Sequence, residues 1–326
     1  MSYRHVQCTA LSGPEGLQVV TVQEAPLEPG QVRVQVHAAG VNYPDLLMTR
    51  GAYQLRLEPP FTPGMEVAGE VLEVGGGVAD WAPGDRVIAL MRHGGYADQV
   101  TVPQSGLLPL PEAFTFEEGA AFHVATRTAY HALVDRGRVA AGERLLVLGS
   151  TGGVGLTAVE LGKLQGARVI AVGSSDDRLA VARARGADAT VNHREQDLVD
   201  TVRQLTGDQG VDVVYDPVGG PLSLASTRLL RWGGRLLVIG FASGEIAAYP
   251  ANHALLKGYS IVGVRAGEGA RRDPAQARRG QDSMLELAAQ GHLRPHICRT
   301  YPLERAAEAL ESLDQRGVVG RVVLRP

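Results

Sequence analysis

The stretch RLLVLG-STGGVG-LTAVELGKLQG, residues 144–166, decides the fold. The apolar run 144–149 reads as a strand buried on both faces, and LTAVELGKLQG has helical spacing. Strand, glycine-rich turn and helix in direct succession open a βαβ unit. In that context the first backbone N–H groups of the helix, with the positive end of its dipole, can bind a pyrophosphate. Gly152 and Gly155 allow ligand and strand the close approach this needs. Ser150 stands where G-x-G-x-x-G usually begins, so a plain tight βα turn stays open on the motif alone.

Working outward, apolar runs at 167–173, 189–192, 211–216, 234–240 and 259–264 follow that first strand. Helical stretches near 153–165, 176–186, 195–206 and 221–232 separate them. Six strands with right-handed crossovers predict the doubly wound order 3-2-1-4-5-6. Upstream, residues 17–103 carry short β-branched alternations (QVVTV, QVRVQVHAAGV, EVAGEVLEVG) punctuated by EPGQ, GGGV and APGD, which predict a compact, mainly antiparallel β domain. Residues 117–136 again have helical spacing. Two amphipathic helices near 274–290 and 303–316 and the closing VVGRVVL lie beyond a complete six-strand unit and are expected to pack back on the first domain. The expected fold class is α/β, a Rossmann doubly wound parallel sheet plus a β-rich domain. Its boundaries are 1–124, completed by 267–326, and 125–266.

Composition narrows the function classes. The 326 residues include 44% hydrophobic and 21% charged side chains, enough for a sizeable core in two domains. A net charge of -3 and 5% aromatics offer neither a basic groove nor stacking platforms, so RNA binding is the weakest reading. The two cysteines, Cys8 and Cys298, sit at opposite ends of the chain and form no disulfide framework or thiolate zinc cluster. No charged leader and no apolar run of roughly 18 residues is visible, which makes the cytoplasm the expected location.

The second strand bears on cofactor choice. An NAD site typically carries Asp or Glu about 20 residues past the glycines to hold the ribose hydroxyls. Here that strand ends at Gly173, followed by Ser174-Ser175-Asp176-Asp177-Arg178, and the carboxylate position is vacant. Small hydroxyls and a guanidinium suit a 2′-phosphate, so the expected cofactor is NADPH. The plainer reading makes Ser175 a helix cap and Arg178 a solvated surface residue. YDPVGG (215–220) and IGFASG (239–244) end two later strands on the edge where such sheets bind ligands.

Six separated motifs, AAGVNYPDLLMTRGAY, PFTPGMEVAGEVLEVG, APGDRV, GGYADQVTVP, GSTGGVGLTAVELGKLQGARVIAV and VGRVVL, resemble in this order the zinc-independent medium-chain dehydrogenases/reductases, and within them the NADPH:quinone oxidoreductases. The resemblance spans roughly residues 15–324. It implies a GroES-like catalytic domain around a Rossmann domain, and a homodimer that pairs the sheets through the edge strand YSIVGV. Where the zinc-dependent relatives place metal ligands, this chain has Asn42, Met65 before Glu66, and a position near Val124, none of which replaces thiolate or imidazole. No metal is therefore expected. Pro44 stands where those relatives carry a hydroxyl proton relay.

By the same resemblance Asn42 and Thr128 meet the nicotinamide end, and Gly152, Gly153, Val154 and Gly155 the pyrophosphate. Ser174 and Arg178 take the 2′-phosphate, with Asn192 or His193, and Gly173 is the cofactor-binding position that leaves room beside them. Val218, Phe241, Ala242 and Ser243 approach the nicotinamide again. Asn42 could instead stabilise a loop, and Thr128 could be packed in its helix. Asn42, Tyr43 and Tyr53 are the residues expected to position substrate, with no general acid assigned, and Leu47 replaces a nearby tyrosine of many relatives. Asp45, Glu66 and Arg265 are expected to orient neighbours. Without a Lewis acid a simple alcohol is a poor partner, whereas a quinone accepts a hydride readily. The expected function is NADPH-dependent quinone reduction. Reduction of α,β-unsaturated carbonyls or enoyl thioesters stays open, as does a non-catalytic NADPH-binding or RNA-binding role.

Overall fold

A computed structural model describes residues 1–315 and 317–326. The chain forms two compact units, Met1–Val124 with Arg294–Pro326, and Ala125–Leu293.

The first unit is built on β3 (Gln31–Val41), whose alternating QVRVQV buries one face before AAGV is buried throughout. Strands β1 (Ser2–Cys8) and β2 (Leu17–Gln23) make a separate antiparallel pair. The larger sheet joins β4 (Glu66–Val74), β5 (Arg86–Leu90), β6 (Gln99–Pro103) and β7 (Leu107–Pro109) to β3. Its order is β14-β15-β3-β4-β5-β7 once the closing strands β14 (Ile297–Pro302) and β15 (Arg321–Arg325) are added, with β6 also on β3. β15 runs antiparallel to β3, with Val322 opposite Val41. Val34, Val36, Leu46, Val67, Val87, Leu310 and Leu324 fill this core.

The second unit holds a six-stranded parallel sheet made of β8 (Arg144–Val147), β9 (Arg168–Gly173), β10 (Ala189–Asn192), β11 (Val211–Asp216), β12 (Leu230–Val238) and β13 (Ser260–Gly263). Its order is β10-β9-β8-β11-β12-β13, which is 3-2-1-4-5-6 counted within the unit. Burial explains the apolar runs: every residue of β11 is buried, as helices on both faces require.

Residues 221–232, 267–293 and 303–316 differ from the sequence reading. The helix expected at 221–232 ends at Ser226 and β12 starts at Leu230. Ser226 and Thr227 return their hydroxyls to the carbonyls of Ser223 and Leu224, at 2.6 and 2.7 Å, a local alternative to continuing the helix. Residues 267–293, expected with the first domain, lie in the second unit. Gly280 of the helix Pro274–Ala289 makes that packing possible, because a Cβ there would sit 2.6 Å from Arg127 Nη1 and 3.0 Å from Tyr130 Cε1. The last helix spans Ala306–Asp314, and residue 316, its expected end, lies outside the described residues. Among the described residues no helix is long and apolar enough to cross a membrane.

Candidate functional site

Glycine geometry sets the turn after β8. Gly149 has φ +58°, and a Cβ on Gly155 would lie 2.2 Å from Gly149 O, so the helix Gly153–Leu164 starts as close to β8 as a backbone can. Gly152 caps this helix with no side chain to satisfy its first amides, and a Cβ there would meet only Gly149 O, at 3.6 Å. Gly153 and Val154 are half-buried on that first turn. A helix start with open amides and room above its cap fits a pyrophosphate. Ser150 is buried and donates its hydroxyl to Val172 O at 2.9 Å, which ties the turn to β9 in place of a first glycine.

Gly173 closes β9, and its carbonyl accepts from the backbone N–H of His193 at 3.0 Å. Ser174 and Arg178 are half-buried beside the start of the helix Asp176–Ala184, and the cap residue Ser175 makes no side-chain capping bond. Ser175 thus stands at the N-cap, as the plainer reading has it, without closing the helix through its hydroxyl. Asn192 is 4% exposed and committed to the fold, its Nδ2 donating to Asp176 Oδ1 at 3.2 Å and its Oδ1 accepting from Arg194 N at 3.2 Å.

The two later loops come together. Ala242 N donates to Pro217 O at 3.0 Å and Ser243 N to Val218 O at 2.9 Å. A Cβ on Gly149 would lie 2.9 Å from Val218 Cγ2, so these loops border the same strand edge as the glycine turn. Buried Asp216 anchors them by accepting from Val218 N and Gly219 N at 2.8 and 2.9 Å. Phe241 and Ala242 are exposed, Phe241 by 38%. Thr128 is half-buried on the helix His123–Tyr130.

In the first unit a buried polar cluster surrounds Asn42, which is 2% exposed and caps the helix Tyr43–Thr49. Asp45 accepts from Asn42 N at 2.9 Å, Tyr96 OH at 3.0 Å and Gly64 N at 3.2 Å. Full burial nonetheless lifts its carboxyl to about 7, the three bonds and nearby Glu66 being lesser influences. Glu66, also fully buried, accepts from Arg321 Nη2 at 2.5 Å, Asn42 Nδ2 at 3.2 Å and Val124 N at 2.9 Å. Burial raises its carboxyl and Arg321 opposes the rise. Tyr43 packs on the main core of this unit, and Tyr53 on a smaller cluster of Cys8, Met48 and Phe61 that Met65 also joins.

Asp45 and Glu66 thus grip Asn42, whereas Arg265 is exposed at the start of the helix Ala266–Arg272 in the other unit. Arg321 and Asp216 escaped the sequence reading although both stand inside quoted motifs. Only a charge in an otherwise apolar strand could have flagged them. The donor set does not fit zinc: position 42 is an engaged amide, 65 a thioether in an apolar cluster, and 124 an aliphatic residue that bonds through its backbone. Among the described residues no three His, Cys, Asp or Glu side chains gather where they could hold a metal ion.

Comparison with known proteins agrees with this anatomy. Residues 28–112 match the model of the alcohol dehydrogenase GroES-like domain, and residues 153–279 that of the zinc-binding dehydrogenases. Quinone oxidoreductase-like protein 2 of Rattus norvegicus is 38% identical over 99% of this chain and 92% of its own length. The quinone oxidoreductase of Thermus thermophilus, solved also as its NADPH complex, superposes with a TM-score of 0.87 at 34% identity, over 99% of this chain and 100% of that one. The Escherichia coli quinone oxidoreductase complexed with NADPH gives 0.90 at 28% identity, with the same coverage of 99% and 100%.

Proposed function

The chain belongs to the medium-chain dehydrogenases/reductases, in their quinone oxidoreductase family, and on that premise we propose that it is an NADPH-dependent reductase of quinones that works without a metal. The observation that carries the cofactor is the glycine turn after β8, with open helix amides, beside a β9 end that has Gly173 in place of a carboxylate. Gly152, Gly153, Val154 and Gly155 hold the pyrophosphate through backbone N–H groups. Ser174 and Arg178 receive the 2′-phosphate, which a carboxylate at 173 would repel. His193 borders that place, and Asn192 contributes by fixing Asp176. Val218, Phe241, Ala242, Ser243, Thr128 and Asn42 serve the nicotinamide end.

NADPH supplies the hydride when bound, and the balance NADPH + quinone + H+ → NADP+ + hydroquinone takes its proton from solvent. The chain's own part is to orient and to exclude water. Tyr43 and Tyr53 offer a ring face and a hydroxyl to a flat acceptor. A quinone needs no Lewis acid to accept two electrons, in keeping with the donor set at 42, 65 and 124.

We also propose a homodimer through the free edge of β13. Around that edge Trp232, Leu255 and Leu256 are 77, 77 and 71% exposed, a large apolar surface for a lone chain. Cys8 and Cys298 are both unpaired thiols, which suits a reducing compartment such as the cytoplasm.

The test is NADPH and NADH oxidation against 1,2-naphthoquinone, 9,10-phenanthrenequinone, 2-alkenals and a crotonyl thioester, with elemental analysis of the same preparation. NADPH with a quinone should be the best pair. Stoichiometric zinc, or ethanol-type compounds as the best partners, would overturn the reading. A clear preference for the alkenals or the thioester would move the acceptor class and leave the cofactor in place.

A further inference from the structure

The second unit carries a cavity away from the glycine turn. It measures about 370 Å³, opens to solvent, and is lined by Asp135, Arg136, Gly137, Arg138, Arg235 and Val262. Arg235 on β12 is level with Leu145, the second residue of β8, because both pair with Val213 of β11, whereas the glycine turn follows the far end of β8. Gly137 ends the π-helical turn His131–Arg136 close against β12, since a Cβ there would lie 2.8 Å from Leu237 Cδ1. Asp135 is buried and accepts from His131 Nδ1 at 2.7 Å. Arg235 gives Nη1 and Nη2 to the Glu143 carboxylate at 2.8 and 2.6 Å, and bonds the carbonyls of Gly137 and Arg138 as well. Its charge is matched, and it holds the turn. Arg136 donates only Nε, to Gly263 O at 3.2 Å, and the Arg138 side chain has no hydrogen-bond partner among the described residues. The Arg138 backbone is a second, independent sign. Its φ is +47°, and Asp208 is the one other described non-glycine residue with a positive φ. Glycine would adopt this left-handed conformation without strain. No contact of the Arg138 side chain within the chain offsets that strain, because the bond from Arg235 goes to the backbone carbonyl. Strain kept with no internal return points to a ligand.

We propose that this cavity binds a phosphate dianion, free or as a small monoester, through Arg136 and Arg138, with Arg235 as the positioning residue that fixes the turn carrying them. A tetrahedral phosphate presents oxygens to two guanidinium forks at once and carries the charge to satisfy both. A carboxylate has two oxygens and one charge, enough for one fork. The volume exceeds that of a bare phosphate and leaves room for the organic part of an ester. Of the lining residues only Val262 belongs to β13. The site shares no residue with the places read for the cofactor and does not depend on that reading.

The test titrates glycerol 3-phosphate, inorganic phosphate and succinate, at matched ionic strength, into the full chain by calorimetry. An Arg178→Ala background removes any anion held at the place read for the 2′-phosphate. In that background a phosphate should still bind, and succinate should bind at least about tenfold more weakly. Adding Arg138→Gly or Arg136→Gln should each weaken phosphate binding about 10- to 100-fold, the size of a lost charged hydrogen bond. Tighter binding of the ester names a monoester as the occupant, and equal binding names free phosphate. Thermal unfolding supplies a readout that a structural role for Arg138 would not give. Without ligand Arg138→Gly should unfold no lower than its parent, because glycine suits φ +47°, and it should lose the rise in midpoint that glycerol 3-phosphate gives the parent. Should Arg136→Gln fail to fold, Arg138→Gly carries the comparison. Equal phosphate affinity with and without Arg138→Gly overturns the proposal, as does succinate bound as tightly as phosphate. Phosphate binding that disappears with Arg178→Ala alone assigns the anion to the cofactor turn and overturns it too.

Discussion

Burial of Asp45 makes its charge a lever on stability. Its carboxyl is lifted to about 7 in the folded chain, against about 4 for an unfolded aspartate. Between those values the folded state keeps a proton that the unfolded state has released. This contribution to stability is therefore full at acid pH and is lost as pH rises, at about 1.4 kcal/mol per pH unit, levelling off above pH 7. Urea midpoints of wild type and Asp45→Asn at pH 5 and pH 8 test this: wild type should lose more than the variant, and an equal loss in both would refute the assignment. Arg178 supplies a second prediction at this scale. A bond from guanidinium to phosphate is worth about 1.5–3 kcal/mol, so Arg178→Ala should lower the NADPH-over-NADH preference roughly 10- to 100-fold in kcat/KM. An unchanged preference would place Arg178 outside the site.

At the scale of the element, the glycine turn separates folding from binding. A Cβ on Gly155 would press on the Gly149 carbonyl at 2.2 Å, so Gly155→Ala must displace the helix Gly153–Leu164 from β8. It should cost about 1–3 kcal/mol and weaken cofactor binding together. Gly152 faces only the same carbonyl, at an ordinary 3.6 Å, and has extended backbone with φ -77°. Gly152→Ala should cost no more than about 1 kcal/mol as a poorer cap, yet weaken NADP+ binding by crowding the pyrophosphate. Thermal unfolding beside calorimetry distinguishes the two, and a Gly152→Ala protein with native affinity would move the phosphate elsewhere. Gly173 is a less useful probe of cofactor choice, because a Cβ there would lie 2.9 Å from Leu179 Cδ2 and disturb the fold as well as the charge.

For the whole molecule the open question is assembly. Ile261 on β13 is 43% exposed, like the three more exposed apolar side chains Trp232, Leu255 and Leu256, and a free parallel edge invites pairing. Leu256→Asp should convert a dimer into a monomer in sedimentation equilibrium with little change in the unfolding of the single chain. A monomeric wild type would remove this edge from consideration.

The sequence by itself determined the parallel sheet, its strand order and the glycine turn between β8 and its helix, because each rests on local signals: apolar runs a few residues long, helical spacing, and glycines at a strand–helix junction. Position at strand ends also singled out the loops at 218 and 241, whereas Asn42 and Tyr43 came from the resemblance of the motif that holds them. Tertiary structure alone decided how Asn42 is held, since Arg321 stands 279 residues away from it in the chain and 255 from Glu66. No periodicity relates residues at such separations. Nor can a sequence show that a carboxyl has been stripped of water on all sides, as Asp45 and Glu66 have been; that requires β3, β4 and β15 to be paired and their core closed.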